Sequence, residues 1–332
     1  MTLPKVLITG AGGPAGVVCI KSLIGRAEVY AVDMSLLSPG LFLVPAERRG
    51  LVPAGNASDF IASLSELCSR WDIDILVPTV DCELVPCANA KADLARRGTF
   101  TLVSDPAPLA ICLDKWLLAQ TLRDCIPLPR TELADAADPS TWTLPLIVKP
   151  RIGSGSRGIM LIETPAALLP LLDRNDLLLQ EHLPGAEYSV DVLVGTTGSI
   201  AAVVRERMRT DSGIAIVAKV VRDPEMEAHA QRAAAQLGLF GVVNVQFKRD
   251  RHGVPKLLEI NPRPPGSLAL TIAAGADMVM WSVRLLLDQP LGTIPDIREI
   301  AMVRTWQEQY VECHELDEVS GMTRGEIAEV AS

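Results

Sequence analysis

The chain of 332 residues is 48% hydrophobic and 21% charged, a composition that is typical of globular proteins and excludes an intrinsically disordered one. Its formal net charge of −9 and the lack of any run of lysine or arginine argue against a nucleic-acid partner. The longest apolar stretch, residues 268–287, contains Asp277 and Arg284, so we predict a packed helix there and no membrane span.

A glycine-rich turn follows the first predicted strand. In "VLITGAGGPAGVVCI", Gly10, Gly13 and Gly16 recur every three residues between a strand and a helix, and a second strand, "VYAVD", ends at Asp33. Such a turn suits a pyrophosphate and the acid suits a ribose hydroxyl, as in a nicotinamide enzyme. A doubly wound sheet needs the same tight turn for packing alone, so this motif leaves both interpretations open.

The first 110 residues alternate strands with helices. The second strand is followed by a helix that we expect Ser58 to cap, the strand in "IDILVPTVD", a helix from about Pro86 to Arg97 and the strand in "TFTLVS". This alternation predicts an α/β unit, a parallel sheet wound on both faces, whose ligands collect at the carboxyl ends of the strands. The residues expected at that edge are Gly13, Thr79, Asp81 and Glu83. Turn capping is the alternative role for the last three.

From about Leu144 the predicted strands are joined by short turns. The turns "GTTGS" and "RDRHG" are typical of hairpins, so this part of the chain is predicted to be α+β with antiparallel sheet. Another turn, in "VKPRIGSGSRGIMLI", lies between two strands, where its backbone N–H groups can fold over a polyphosphate. Lys149, directly before it, supplies the positive charge that phosphates attract. A flexible hairpin with a solvated lysine is the alternative.

Polar side chains share one face of a strand in "LLEINPRPPGS". Glu259, Asn261 and Arg263 are two residues apart and therefore point the same way. If "RDRHG" closes a hairpin, Gln246 on the preceding strand lies opposite Glu259. Carboxylate and amide oxygens suit Mg²⁺, which shares its ligands with phosphates, and an arginine can neutralise a phosphoryl group. A half-polar exposed sheet face is the alternative.

A row of arginines is predicted in "VVRERMRTDSG". Arg205, Arg207 and Arg209 alternate along a strand and would share one face, which could bind a substrate carboxylate or phosphate oxygens. A charged edge strand is the alternative. Gly266 and Ser267 follow the predicted metal strand closely enough to contact a substrate as well.

The ordered motifs together resemble the ATP-grasp superfamily. The order is "VKP", the glycine-rich loop, "QEHL", "AEYSVDV", "NVQF" and "EINPRPPGS", most similar to the branch that contains the carbamoyl phosphate synthetase large subunit and biotin carboxylase. The resemblance implies a Rossmann-like domain over residues 1–110. It implies an ATP-grasp fold of two subdomains after it: a small lid subdomain with a connector helix over 111–185, and a large subdomain with the metal site over 186–332.

The resemblance also implies roles for individual residues. Lys115 and Lys149 would contact the phosphates of ATP under a mobile lid, formed by Gly153, Ser154, Gly155, Ser156 and Gly158. Adenine would lie against Glu181, His182 and Leu183, and the ribose hydroxyls against Glu187. The ligands of Mg²⁺, or of Mn²⁺, would be Gln246, Glu259 and Asn261. Catalysis would use Lys149, Arg207 and Arg263. The substrate would lie against Gly13, Asp81, Arg205, Arg207, Arg209, Gly266 and Ser267. Many relatives carry a second carboxylate where Gln246 stands, which leaves the number of bound ions open.

The activity implied by the resemblance is amide or peptide-bond formation. ATP phosphorylates a small carboxylic acid, and an amine attacks the acyl phosphate, with ADP and phosphate released. A stand-alone chain of this kind would take small-molecule substrates and could be a homodimer. The chain begins without a secretory leader and has seven scattered cysteines, so we expect a cytoplasmic protein with reduced thiols.

Two other activities remain as alternatives. A subunit that phosphorylates bicarbonate or carbamate would use the same site. A nicotinamide oxidoreductase of the short-chain type would need a tyrosine followed four residues later by lysine, but Tyr30, Tyr188 and Tyr310 are followed by other residues at that offset. The second alternative is therefore the weaker one.

Overall fold

The computed structural model describes residues 2–153, 155 and 157–316. Within them three β-sheets follow one another along the chain, one parallel and two antiparallel. The predicted boundaries near residues 110 and 185 fall between these sheets. The predicted lid residues Ser154 and Ser156 lie outside the described residues.

The first sheet is parallel and has five strands in the order β3-β2-β1-β4-β5. Its strands are β1 Lys5–Ile8, β2 Glu28–Asp33, β3 Arg49–Leu51, β4 Ile75–Val77 and β5 Phe100–Thr101. Its helices are α1 Pro14–Leu23, α2 Phe60–Arg70 and α3 Asp81–Arg96. Successive residues of β1 alternate between two apolar clusters: Val6 and Ile8 pack in one and Leu7 in the other. Both faces are therefore covered, and the predicted α/β arrangement is confirmed.

Two helix starts differ from the prediction. Helix α2 begins at Phe60 after Asp59, and no side chain caps it, so the expected Ser58 cap is wrong. Helix α3 begins at Asp81, five residues before the expected Pro86. Glu83 in its first turn accepts a hydrogen bond from Val80 N at 3.2 Å. This bond gives a partner to the backbone N–H that precedes the helix, so the helix can begin earlier.

The second sheet follows two short helices, α4 Pro106–Leu113 and α5 Lys115–Leu122, where we expected one continuous connector. The break falls at Asp114, whose carboxylate caps α5 by accepting from Trp116 N and Leu117 N. The sheet is antiparallel, in the order β6-β9-β7-β8. Its strands are β6 Thr131–Leu133, β7 Leu146–Pro150, β8 Met160–Ile162 and β9 Leu177–Glu181, with helix α6 Pro165–Leu168 before β9.

The third sheet is the largest and is antiparallel, in the order β14-β13-β10-β11-β12-β15. Its strands are β10 Glu187–Gly195, β11 Gly198–Asp211, β12 Ile214–Val220, β13 Gly241–Arg249, β14 Pro255–Asn261 and β15 Ala301–Val303. Its helices are α7 Pro224–Leu237, α8 Leu268–Ala274 and α9 Met278–Leu286. Both predicted hairpins form, and Gln246 pairs directly with Glu259 across β13 and β14. The α+β prediction is therefore confirmed.

The apolar stretch 268–287 forms α8 and α9, which pack on the third sheet and on α1. Across residues 2–316, apart from the two undescribed serines, no helix alone has the length and apolarity to cross a membrane; α8 and α9 meet those criteria only as a pair, across an 88° bend.

Candidate functional site

A cavity of about 320 Å³ lies between the second and third sheets. Strands β7 and β9 deliver residues from one side, and β10, β13 and β14 deliver residues from the other. The predicted residues that line it are Lys115, Lys149, Gly153, Glu181, His182, Leu183, Glu187, Gln246 and Glu259. These predicted residues, which are far apart in the sequence, therefore line one space, which we call the first cavity.

Lys149 lies buried in the first cavity, 5% exposed, at the middle of the second sheet. No group in the described part of the chain accepts a hydrogen bond from its ammonium or forms an ion pair with it. Burial lowers the pKa of Lys149 to about 8, with Glu259 opposing the shift and Lys115 adding to it. Because burial disfavours the charged ammonium, an anion bound in this cavity would stabilise it.

The glycine-rich loop after β7 is held at its base by charged groups. Arg151 Nε donates to both carboxylate oxygens of Asp114, at 2.8 and 2.9 Å, and Lys115 Nζ donates to the carbonyl of Gly153 at 2.6 Å. Gly155 and Gly158 have φ of 68° and 75°, a left-handed conformation that favours glycine. The base of the loop is thus held by these contacts, and Gly155 and Gly158 adopt a conformation that favours glycine.

The first cavity also has apolar lining residues. Ile147, Ile159, Leu161 and Leu258 line it, and Ile159 and Leu161 are about half exposed, at 47% and 50%. Exposed apolar side chains in a cleft suit a flat aromatic ligand such as a nucleobase. This wall was missed by the sequence reasoning, although "GIMLI" directly after the glycine loop is a visible signal for it.

Glu181 is not a free carboxylate. It accepts from Lys256 Nζ at 2.7 and 2.9 Å and from Arg130 N at 3.1 Å. Lys256 lies on β14, so this pair joins the second sheet to the third beside the cavity. The sequence offered no signal for the partner, because 75 residues separate Glu181 from Lys256.

Glu259 lines the first cavity and has polar neighbours, Asn261 on its own strand and Gln246 opposite it on β13. Asn261 Nδ2 donates to Glu259 Oε1 at 3.2 Å, which leaves the amide oxygen of Asn261 free. Within the described chain no three His, Cys, Asp or Glu residues form a metal-binding group. One carboxylate and amide oxygens nonetheless fit Mg²⁺, because this ion keeps several waters and takes further ligands from substrate phosphates.

A second cavity, of about 240 Å³, adjoins the first and shares Gln246 and Glu259 with it. Its predicted residues are Gly155, Arg207, Gln246, Glu259, Asn261, Arg263, Gly266 and Ser267. A group bound near Glu259 is therefore within reach of ligands in both cavities.

The predicted row of three arginines is wrong. Strand β11 has a bulge between Arg207 and Arg209, so their side chains do not continue one face, and Arg209 is exposed. Arg205 is wholly buried: it donates to Asp191 at 2.6 and 2.8 Å and to Ser267 Oγ at 2.6 Å. Of the three, Arg207 lines the second cavity. The alternation of side chains along a strand does not predict which arginine becomes buried, because that depends on how α8 packs on the sheet.

Asp81, at the carboxyl edge of the first sheet, is joined to the second cavity through Arg263, which lines it. Its two carboxylate oxygens accept from Arg263 Nε at 2.6 Å and Nη2 at 3.0 Å, across 182 residues of sequence. Gly266 packs so closely on the start of α1 that an added Cβ would lie 2.8 Å from Pro14 Cβ. Gly13, which caps α1, is therefore next to this loop.

Asp33 accepts from Gly12 N at 2.8 Å and holds the opening turn, so no ribose is needed to explain it.

Glu83 is buried under the opening turn, 5% exposed, and accepts from Thr9 Oγ1 at 2.5 Å. Burial raises the pKa of Glu83 to about 7, against the hydrogen bonds from Thr9 and the backbone. The folded protein therefore holds this proton over a pH range in which the unfolded chain, with an ordinary value of 4.5, has released it.

Replacing Glu83 with glutamine is expected to change how stability depends on pH. Because the folded state binds the extra proton, wild-type stability falls as pH rises from about 5 to 8, by up to about 3 kcal/mol from this group. Glu83→Gln removes that contribution, so its stability relative to wild type should rise over the same interval. Urea unfolding of both proteins from pH 5 to 8 measures the difference; a difference that is constant with pH would contradict the assignment.

Comparisons with known proteins show what this chain is similar to. A family model described as "ATP-grasp in the biosynthetic pathway with Ter operon" matches residues 173–309. A D-alanine--D-alanine ligase of Glaesserella parasuis serovar 5 (strain SH0165) is 28% identical over 167 residues, 45% of this chain and 54% of the ligase. The chain thus matches about half the length of this curated relative.

Solved structures share the fold over most of the chain. An N5-carboxyaminoimidazole ribonucleotide synthetase in complex with ADP superposes with a TM-score of 0.74 at 17% identity, over 91% of this chain and 82% of that one. A biotin carboxylase from Campylobacter jejuni gives 0.73 at 15% identity, over 90% and 74%. An L-amino acid ligase from Bacillus licheniformis gives 0.69 at 14% identity, over 91% and 79%.

Proposed function

We propose that this chain is a member of the ATP-grasp superfamily, whose family model matches residues 173–309 and whose fold it shares, and that it is an ATP-dependent carboxylate–amine ligase. The observation that carries the proposal is Lys149, a lysine that is 5% exposed and lines the first cavity near Glu259, where two cavities meet. In this proposal the first cavity binds ATP and the second binds the acid and the amine. Residues 1–110, 111–185 and 186–332 are the Rossmann-like domain, the lid subdomain and the large subdomain.

The first cavity offers a complementary group for each part of ATP. The apolar wall and the backbone near Leu183 suit adenine, and the carboxylate of Glu187, although paired with Arg207, suits the ribose hydroxyls. Lys248, opposite Glu187 on β13, lines the same space and adds positive charge there. Lys115 and Lys149 would contact the phosphates, and the glycine loop would exclude water above them.

Glu259 and Asn261 would hold Mg²⁺, which neutralises phosphate charge when bound. A carboxylate oxygen of the acid attacks the γ-phosphorus, the bond to the β-phosphate oxygen breaks, and ADP leaves. The amine nitrogen then attacks the acyl carbon, phosphate leaves with the bonding electrons, and the nitrogen loses a proton. Lys149 and Arg263 would stabilise charge on the transferred group, so positioning and neutralisation do most of the catalytic work.

The substrates are proposed to be a small carboxylic acid and an amine, since the second cavity is about 240 Å³ and lined by Arg207, Arg263 and the backbone of Gly266. ADP release with Mg-ATP across pools of amino acids and small acids tests this. Acid-dependent ADP supports a ligase. ADP formation with bicarbonate alone would instead support the alternative, phosphorylation of bicarbonate or carbamate.

We also propose a cytoplasmic homodimer; the seven cysteines are all unpaired, as in a reducing compartment.

Replacing Glu259 with glutamine is expected to lower turnover strongly. The neutral amide keeps the shape of the side chain and removes the carboxylate of the metal set, so the rate should fall on the order of 10² to 10³-fold. Coupled ADP release measures it. Glu206→Gln on β11 is the matched control, because Glu206 and its ion-pair partner Lys219 line neither cavity. Turnover of Glu259→Gln at the rate of the control would show that the metal assignment is wrong.

A further inference from the structure

The side chain of Gln246 is engaged by an arginine. Arg207 Nη1 donates to Gln246 Oε1 at 2.9 Å and forms an ion pair with Glu187, while Nη2 donates to the carbonyl of Gly213 at 2.6 Å. The Arg207 side chain is only 6% exposed. Three acceptors from three places in the chain therefore fix its guanidinium beside Gln246, at the junction of the two cavities.

This contact removes Gln246 from the candidate metal ligands. Its amide oxygen points at a permanent positive charge, and a divalent cation placed on the same oxygen would be repelled by that charge. The opposite side of Glu259 is different. There Asn261 donates through its nitrogen, so the oxygen of Asn261 and the second oxygen of Glu259 can face one ion together.

The charges at the junction also favour one ion over two. Glu259 is the one carboxylate among the predicted metal ligands, and it already interacts with the charge of Lys149. The carboxylates of Glu187 and Asp81 are paired with Arg207 and Arg263. A second divalent cation would add two positive charges where no free carboxylate among the cavity-lining residues described here could balance them.

We propose that the site binds a single divalent cation with the nucleoside triphosphate, on Glu259 and Asn261, and that Arg207 provides at Gln246 the positive charge of a second ion. The inference rests on the proposed function, because it presumes a nucleotide in the first cavity. Arg207 would contact phosphate oxygens from the side that faces the second cavity. Its positive charge is part of the protein, so it does not depend on the binding of a second metal ion in each catalytic cycle.

Counting metal ions tests this without turnover. Equilibrium dialysis with Mn²⁺ and the β,γ-methylene analogue of ATP allows bound metal and bound nucleotide to be measured separately. We expect about one Mn²⁺ per bound nucleotide in the wild type, as for a site with one free carboxylate. A ratio of about two, the value for a two-metal site, would overturn the inference. No binding of nucleotide or Mn²⁺ would overturn the proposed function itself.

Two variants test the part assigned to Arg207. In Gln246→Glu the new carboxylate should pair with Arg207, so the ratio stays at about one. In the double variant Gln246→Glu, Arg207→Gln that carboxylate is free, and the ratio should rise to about two. A double variant that stays at one would show that Arg207 does not exclude the second ion. Arg96→Gln, on the exposed surface of α3, is the matched control. Because the ratio is taken per bound nucleotide, weaker nucleotide binding does not affect it.

Discussion

Lys149→Met is expected to lose turnover while the fold becomes no less stable. The methionine fills the same buried space without a charge, so the group that meets the phosphates is lost and the rate should fall on the order of 10² to 10³-fold. Since the pKa of Lys149 is lowered from 10.5 to about 8 mainly by burial, its charged form costs the folded state stability, and the variant should gain up to about 3 kcal/mol.

Turnover and urea unfolding of the same preparation measure both effects. Lys219→Met is the matched control, because Lys219 is paired with Glu206 at the surface and lines neither cavity. Loss of turnover together with a large loss of stability would mean that Lys149 supports the fold. Full turnover would mean that it does not contact the phosphates.

Asp191→Ala is expected to be the most destabilising of the substitutions considered. Asp191 is wholly buried and pairs with Arg205, which is also 0% exposed, and it accepts from Asn244 Nδ2 at 2.8 Å and Thr271 Oγ1 at 2.5 Å. Removing the carboxylate leaves a buried guanidinium without its counter-charge, which costs about 3 to 5 kcal/mol. The network joins β10, β11, β13 and α8, so its loss should loosen the third sheet.

The double variant Asp191→Leu, Arg205→Met tests whether the loss of stability comes from leaving one buried charge without its partner. Because both charges are replaced by apolar side chains of similar size, it should be less destabilised than Asp191→Ala despite losing two hydrogen-bond acceptors. Urea unfolding of the wild type and both variants gives the comparison. A loss under about 1 kcal/mol in Asp191→Ala would contradict the view that Arg205 depends on this carboxylate.

The sequence predicted the fold because its signals were local. Alternating strands and helices in the first 110 residues, and hairpin turns such as "GTTGS" and "RDRHG", each depend on a few neighbouring residues. The pairing of Gln246 with Glu259 followed from one such turn. The start of α3 was misjudged because Pro86 suits a first helical turn, while the hydrogen bond from Val80 N to Glu83 moves the start earlier.

Partners between distant parts of the chain could not be predicted. Asp81 and Arg263 were both expected at the site, yet nothing in the sequence showed that they bind each other. Arg205 and Arg207 look equivalent in an alternating strand; packing against Asp191 buries one, and the cavity wall holds the other. The sequence therefore predicted which residues gather, while the charge pairing among them depends on the tertiary structure.

The transfer of oxygen from the acid to phosphate is the most direct test of the proposed activity. Pools of amino acids and small acids labelled with ¹⁸O in the carboxylate are incubated with Mg-ATP and the enzyme, and the released phosphate is analysed by mass spectrometry. If the carboxylate attacks the γ-phosphate, one labelled oxygen stays with phosphorus when the amine displaces it, so ¹⁸O-phosphate is expected with the acid that supports ADP release. Amide formation with wholly unlabelled phosphate would contradict the account.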